Sequence, residues 1–406
     1  MNGFRRVILI VLDGVGVGAL PDACQYGDGD TATLSHVAEA VGGLTLPNLQ
    51  RLGLGNICPI EGVPAQNNPL AAWGKMAPLS AGKDSVSGHW EIAGLVRAHP
   101  FTCFPTGFPP EIIQKFVTLA GVEPLGNIAA SGTDILRQFG EEHLASRRPI
   151  VYTSSDSVFQ IAAHEDVIAP AQLYQLCEKT LDILRPYGLC RVIARPFVGG
   201  GSGRFTRTSR RHDFPVEPTS ETILDLLKVS GKPVCGIGKV GDLFAGRGLD
   251  RSFPTLNNSD GMTKLFETLD LQRNGLIFAN LVDFDMLYGH RLDPSGFAAA
   301  LQEFDHHLPR LIRQLKAHDL LLITADHGCD PTTPGTDHSR EYVPLLAWSS
   351  QFAAGHDLGL RRSFADIAAT LAEIFALTQD CGTSFLGALR GCIVCDCVTQ
   401  AVCFGD

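Results

Sequence analysis

Three short apolar runs, far apart in the chain, each end in an aspartate, and this pattern restricts the fold more than any other feature. Leu320–Ile323 gives way to Thr324-Ala325 and then Asp326-His327, with His338 following after a loop of Gly, Pro and Thr. Arg6–Leu12 (RVILIVL) ends in Asp13-Gly14, and Leu276–Val282 (LIFANLV) ends in Asp283-Phe284-Asp285, with His290 five residues beyond Asp285. A short apolar run bounded by turn residues reads as a buried strand. Open α/β sheets gather their sites just past the carboxyl ends of such strands. If the three lie parallel in one sheet, Asp13, Asp285 and Asp326 meet at one rim with His290, His327 and His338. An aspartate after a strand is also an ordinary turn former or helix cap, so a single one would carry little. Together they make a cluster of Asp and His donors suited to Zn²⁺, Mn²⁺ or Mg²⁺. Six donors exceed the needs of one four-coordinate ion and suit a pair.

Length and composition set the limits. At 406 residues the chain can build two domains and a large core. With 45% hydrophobic and 19% charged residues it is globular rather than disordered. The formal net charge of -10 argues against nucleic acid as the main partner, although a cation-filled cleft would reverse that sign locally and admit a phosphate. The 12 cysteines are mostly scattered, and the opening MNGFRRVILIVLDG lacks a signal-peptide cleavage site. Reduced thiols and a cytoplasmic location are therefore expected. No apolar segment approaches the roughly 20 residues of a membrane span, so no membrane partner is expected. The tail, 391–406, is the exception to the scatter, with Cys392, Cys395, Cys397 and Cys403 close together. That spacing matches no standard zinc site and supplies no histidine, and a loosely ordered tail is the expectation.

In chain order, Gly14–Asp30 is rich in Gly, Pro and Asp and reads as loop, followed by helices over Thr33–Val41 and Leu46–Leu54. The glycine-rich VLDGVGVG lacks G-x-G-x-x-G spacing and carries an acid where a pyrophosphate would sit, which argues against dinucleotide binding. Ala81–Gly94 (AGKDSVSGHWEIAG) packs Lys83, Asp84, Ser85, Ser87, His89 and Glu91 between glycines and reads as a polar turn. A hydroxyl beside a dication can lose its proton and act as a nucleophile, but a bland polar turn would look similar.

Past residue 100 the pattern changes. Phe101–Pro110 (FTCFPTGFPP) is a proline-rich break, and a second break at Arg211–Ser220 precedes a helix over Glu221–Val229. The segment between carries strands such as Ile150–Thr153 and Arg191–Ala194 and a helix near Leu173–Leu184, and it reads as an inserted domain. The expected organisation is a core from 1–100 and 216–390, an insertion at 101–215 and the cysteine-rich tail. Within the insertion, Ser154 and Asp156 follow a strand, and Arg195, Arg207 and Arg210 surround GGGSGR. Lys239 lies back in the core in GIGKVGD. Guanidinium groups fork onto phosphate oxygens and glycines let backbone approach them, although loop arginines are also common on any surface. His306-His307 sits on the helical stretch Phe297–Leu315 and is expected to be solvated. His36, His164 and His212 lack partner spacing, His89 is expected to be structural, and Trp73 and Trp90 to be packing residues.

LDGVGVGALPDA, GKDSVSGHWE, DFDMLYGHR and TADHGCDPTTPGTDHSREYVPLL, taken together and in this order, resemble the phosphopentomutase family of the alkaline phosphatase superfamily. The resemblance runs from about residue 4 to 390. It implies an α/β fold: an alkaline-phosphatase-like core with a mainly parallel sheet flanked by helices, plus a smaller α/β cap. It further implies two Mn²⁺, with Mg²⁺, Co²⁺ or Zn²⁺ as substitutes. Asp13, Asp326 and His327 would hold one ion with the nucleophile, and Asp285, His290 and His338 the other. The nucleophile, usually threonine in the family, would be Ser85, with one methyl fewer and a looser rotamer. Arg195, Arg207, Arg210 and Lys239 would bind phosphate, and Asp156 would contact the nucleophile or a sugar hydroxyl. The implied substrate is a small sugar phosphate, the implied primer a sugar bisphosphate, and the oligomeric state stays open. A metal-dependent phosphomonoesterase, a phosphoglycerate mutase on the same core and a non-catalytic metal-binding module are the rival readings.

Overall fold

The computed structural model describes residues 3–154, 157–200 and 204–393. The chain divides into two compact units, one formed by the segments up to His99 and from Pro218 onward, the other by Pro100–Glu217.

The first unit is built on one sheet of eight strands. Their spatial order is β10 (Arg251–Phe253), β9 (Val234–Ile237), β11 (Gly275–Leu281), β1 (Arg6–Leu12), β12 (Asp319–Thr324), β13 (Val343–Trp348), β2 (Ala72–Met76) and β14 (Asp357–Arg361). The five strands from β10 to β12 run parallel, β13 runs against both of its neighbours, and β14 is parallel to β2. Every residue of β1, β11 and β12 is buried. Near-continuous apolar sequence rather than alternation is what a parallel sheet covered on both faces demands. Each Val, Leu or Ile so buried contributes about 1.5–3 kcal/mol. Helices Thr33–Val41, Asn258–Leu271, Pro294–Gln314 and Asp366–Phe375 lay apolar faces into this unit. The apolar run opens on an arginine, and Arg6 is nonetheless only 1% exposed because Asp319 meets it across the β1–β12 pair.

The order β11–β1–β12 places the three acid-terminated strands side by side. Leu12 pairs with Leu281, and Val11 with Thr324, so the chain leaves all three strands at nearly one level.

The second unit has a mixed sheet: β3 (Leu125–Ala129), β4 (Ile150–Thr153), β5 (Val158–His164), β6 (Arg191–Gly199) and β7 (Phe205–Arg207) in that order, with β8 (His212–Pro215) also on β6. Helices Gly132–Ser146 and Pro170–Leu184 pack on it, around a core that includes Ile135, Ile150, Tyr152 and Phe197. The fold class is thus the α/β arrangement expected, with a mainly parallel central sheet and a smaller α/β unit inserted.

The structure departs from expectation at Ala81–Gly94, which is not an extended polar turn. Ser85–Ile92 is a helix, capped by Asp84, whose carboxylate accepts from Ser87 N at 2.9 Å and from Ser87 Oγ at 2.7 Å. Asp at the N-cap and two early serines are helix-start chemistry; the glycines obscured it. Gly88 is the one residue that fits there, because a Cβ on it would lie 2.3 Å from the Asp326 carbonyl oxygen. Among the described residues no helix is long and apolar enough to cross a membrane.

Candidate active site

The Asp and His residues singled out in the sequence converge at the strand ends of the first unit. Asp13 follows β1, Asp326-His327 follow β12, and Asp285 lies on a single π-helical turn, Phe284–Tyr288, past β11. That turn leaves Asp283 behind. Asp283 accepts from Asn258 N at 2.7 Å as a helix-entry contact, while Asp285 is carried to the rim. Asp13, Asp285, Asp326 and His327 are each no more than 3% exposed.

The contacts form a continuous cage. His327 Nε2 lies 3.3 Å from Asp13 Oδ1 and 3.4 Å from Asp326 Oδ2. Asp285 presents one oxygen to each of two imidazoles, with Oδ2 3.3 Å from His290 Nε2 and Oδ1 3.3 Å from His338 Nε2. His290 Nδ1–H donates to the Thr336 carbonyl at 2.7 Å and His327 Nδ1–H to that of Gly328 at 3.0 Å, so both Nε2 atoms face the cage. Ser85, the first residue of its helix, has Oγ 3.0 Å from His327 Nε2 and 3.4 Å from Asp13 Oδ1. Lys239 Nζ stands 3.7 Å from Asp13 Oδ2 and 4.0 Å from Asp285 Oδ2.

The electrostatics record how tightly these charges are held. Burial alone would raise the Asp13 carboxyl, yet the Lys239 ammonium and His327 hold it far below the ordinary carboxylate range against the charge of Asp285. Burial likewise opposes ionisation of Asp285, but the nearby His338 and His290 imidazoles keep it well below that range. For His327, burial works to remove the charge, but Asp326 and Asp13 outweigh it and hold the imidazole up at about 10. Burial, then Asp285, pushes the Cys329 thiol far above the usual thiol range. The donor set fits divalent cations on independent grounds. Asp285 Oδ1 and Asp326 Oδ2 are buried without a hydrogen-bond partner, an arrangement that costs about 1–3 kcal/mol per atom unless something else uses the lone pairs. Three sets of donors, Asp13/Asp326/His327, Asp285/His327/His338 and Asp285/His290/Cys329, each have atoms within 4.8 Å of one another.

One support of the cage, Asn280, was not legible in the sequence, and another, His89, was expected only as a structural residue. Asn280 Nδ2, near the end of β11, donates to Asp13 Oδ2 at 3.0 Å. His89 lies fully buried, with Nδ1 2.8 Å from the Ser85 carbonyl and 3.1 Å from Asp326 Oδ2, and stacks on Phe278. It ties the helix of Ser85 to a cage carboxylate. His36, which has no partner in sequence spacing, finds Asp330 at 2.6 Å.

In the second unit a cavity of about 450 Å³ is lined by Arg195, Arg207 and Arg211 together with Thr133, Thr206 and Thr208. Arg195 Nε donates to Gln160 Oε1 at 3.0 Å. Burial, then the neighbouring charge of Arg211, lowers the Arg195 guanidinium from its ordinary value, although Asp213, which accepts from Arg211 Nε and Nη2 at 2.7 Å, acts the other way. Arg210 is not brought to this cluster: its Nη1 donates to Glu165 Oε2 at 2.8 Å and the side chain is largely exposed. Arg211, one residue on, takes that place where the chain leaves a turn at Ser209-Arg210 and enters β8. Ser154 follows β4, half-buried and away from the cavity lining. Asp156 lies outside the described residues, as do Cys395, Cys397 and Cys403.

A family model described as "Metalloenzyme superfamily" matches residues 5–379, so the class of protein is a metalloenzyme of that superfamily. Over 389 residues the chain is 57% identical to a protein of Syntrophotalea carbinolica named phosphopentomutase, covering 96% of this chain and 99% of that protein. It is 54% identical over 387 residues to the phosphopentomutase of Caldanaerobacter subterraneus subsp. tengcongensis, covering 95% and 98%. A protein of the same name from Dictyoglomus turgidum is 54% identical over 388 residues, covering 95% and 98%. The chain belongs to the phosphopentomutase family and is an isomerase.

Proposed function

We propose that this enzyme interconverts the 1-phosphate and 5-phosphate of α-D-ribose or 2-deoxyribose through a phosphorylated Ser85. The observation that carries the reading is Ser85 Oγ, set 3.0 Å from His327 Nε2 and 3.4 Å from Asp13 Oδ1 at the mouth of a cage of buried carboxylates and imidazoles. The names of the relatives support the pentose phosphate as substrate.

Asp13, Asp326 and His327 would hold one divalent cation beside Ser85, and Asp285, His290 and His338 a second. Mn²⁺ is the expected metal, with Mg²⁺, Co²⁺ or Zn²⁺ as substitutes. When bound, such a pair acidifies a hydroxyl and neutralises phosphoryl oxygens. The chain's own groups do the rest. His89 and the Asp84 cap fix Ser85 at a helix N-terminus, whose dipole and free N–H groups favour a phosphate. Lys239 offers a cation to the phosphoryl group beside Asp13 and Asp285. Ser85, once phosphorylated by a sugar bisphosphate primer, passes its phosphoryl group to the free hydroxyl of a sugar monophosphate. The resulting 1,5-bisphosphate returns its other phosphate to Ser85 and leaves as the isomeric monophosphate. The arginine-lined cavity of the second unit supplies bidentate donors for a phosphate, with Arg211 joining Arg195 and Arg207. Asp156 is assigned to a sugar hydroxyl or to the nucleophile. Excluding water from phospho-Ser85 separates a mutase from a phosphatase, and we assign that work to the cap. We assign the chain to a cytoplasmic setting, where its scattered thiols would stay reduced.

A phosphorus NMR time course with Mn²⁺, α-ribose 1-phosphate and a trace of bisphosphate tests the proposal. Conversion to ribose 5-phosphate without free phosphate is expected, and Ser85→Ala should abolish it while keeping the metal bound. Accumulating inorganic phosphate would instead mean a phosphomonoesterase, and turnover surviving in Ser85→Ala would remove Ser85 from the reaction.

A further inference from the structure

Beyond the six candidate ligands, one softer donor reaches the cage. Cys329, two residues past His327, is 1% exposed. Its side chain occupies a slot that only glycines leave open: a Cβ on Gly289 would lie 2.4 Å from Cys329 Sγ, and one on Gly14 would lie 2.9 Å from Cys329 Cβ. Sγ, an Asp285 carboxylate oxygen and a His290 ring nitrogen all fall within 4.8 Å of one another. Ligands about 2.0–2.3 Å from a tetrahedral cation are roughly 3.3–3.8 Å apart, so small adjustments suffice to close these donors on one ion. A separate observation points the same way: Asp285 is 2% exposed, and its Oδ1 is buried without a hydrogen-bond partner. A buried cysteine that merely filled space would need no carboxylate and imidazole beside it.

We propose that Cys329 is itself a ligand of the second cation position, joining Asp285 and His290, and that it biases this position toward thiophilic divalent cations. The inference rests on the reading of the cage as a metal centre and adds which metals it selects. Carboxylate and imidazole accept Mn²⁺ and Mg²⁺, whereas a thiolate favours Zn²⁺, Co²⁺ or Cd²⁺. On coordination the sulfur–metal bond replaces the S–H bond, the proton leaves to solvent, and no group is oxidised or reduced. The two positions of the cage are therefore unequal: oxygen and nitrogen donors at Asp13/Asp326/His327, and a sulfur donor added at Asp285/His290.

The test reads the metal rather than turnover. The full chain is stripped with chelator and titrated with Co²⁺ while the near-ultraviolet absorption is followed. A thiolate-to-cobalt charge-transfer band is expected in the unaltered chain and its loss in Cys329→Ser. Zn²⁺ affinity in that variant should fall by about ten-fold or more, with little change for Mn²⁺. Cobalt bound without the band, or a band that survives in Cys329→Ser, overturns the assignment. If no cobalt binds at all, the metal-centre reading falls with it. Should Cys329→Ser fail to fold, cadmium NMR of the unaltered chain decides, since a bound resonance lacking the displacement of a sulfur ligand is equally fatal.

Discussion

Replacing Asp319 by alanine should cost the first unit on the order of 3 kcal/mol, toward the lower end of what breaking a buried ion pair costs. Arg6 and Asp319 are 1% and 3% exposed and face each other across the β1–β12 register. Arg6 Nε donates to Asp319 Oδ1 at 2.9 Å, and a second parallel bond joins Nη2 to Oδ2. Removing the carboxylate strands a guanidinium in an apolar sheet. The carbonyls of Leu269 and Gln272 still accept from Nη1, which is why the lower end of the range applies. Against a typical net stability of about 5–15 kcal/mol the loss is large. Urea unfolding followed by tryptophan fluorescence isolates it, because Trp73, Trp90 and Trp348 all belong to this unit. Exchanging both partners, Arg6→Met with Asp319→Leu, should be less damaging than the single change, since two apolar groups leave no orphaned charge. A single-variant cost below about 1 kcal/mol, or a double variant worse than the single, would refute the reasoning.

The cap arginines should separate. Arg211→Ala, which removes a guanidinium that Asp213 holds at the cavity lining, should weaken sugar-phosphate binding by roughly 10- to 100-fold. Arg210→Ala breaks only an exposed pair with Glu165 and should change it by less than about five-fold; equal effects in steady-state kinetics would contradict the geometry. The second unit should also be acid-sensitive through His143, whose Nδ1–H donates to the Arg148 carbonyl at 2.6 Å while Nε2 accepts from His164 N at 2.9 Å. Burial lowers its pKa from 6.5, so the unfolded chain binds this proton more readily. The corresponding stability is complete above about 6.5 and is lost as pH falls from there to the folded value. An NMR titration of the His143 ring with a midpoint at or above 6.5 would rule this out.

Much of the site could be read from the sequence because its physics is local to strand ends. Apolar runs fix Asp13, Asp285 and Asp326 at the termini of β1, β11 and β12, and parallel pairing does the rest. What escaped depends on facing and register. Arg210 and Arg211 are chemically alike, and only the course of the chain entering β8 decides which one lines the cavity. Asn280 looks like any polar residue at a strand end until Asp13 is placed opposite it. Arg6 reads as the edge of an apolar run, and its burial follows only once Asp319 is known to lie beside it. The helix at Ser85 was hidden by glycines whose role is close approach rather than flexibility, as the Asp326 carbonyl beside Gly88 shows.

The placement of β1 between β11 and β12 also governs how the protein comes into being. The first strand made waits for neighbours that begin at Gly275 and Asp319. At about 5–20 residues per second of synthesis, that leaves a largely apolar segment without its sheet for tens of seconds. The second unit, by contrast, is one uninterrupted stretch and can close on itself while the ribosome is still at work. Biogenesis therefore runs from the inside of the sequence outward. The cage is completed only once His338 has been made, so cation loading belongs to the end of that sequence, and the waiting first strand is the segment for a chaperone to shield.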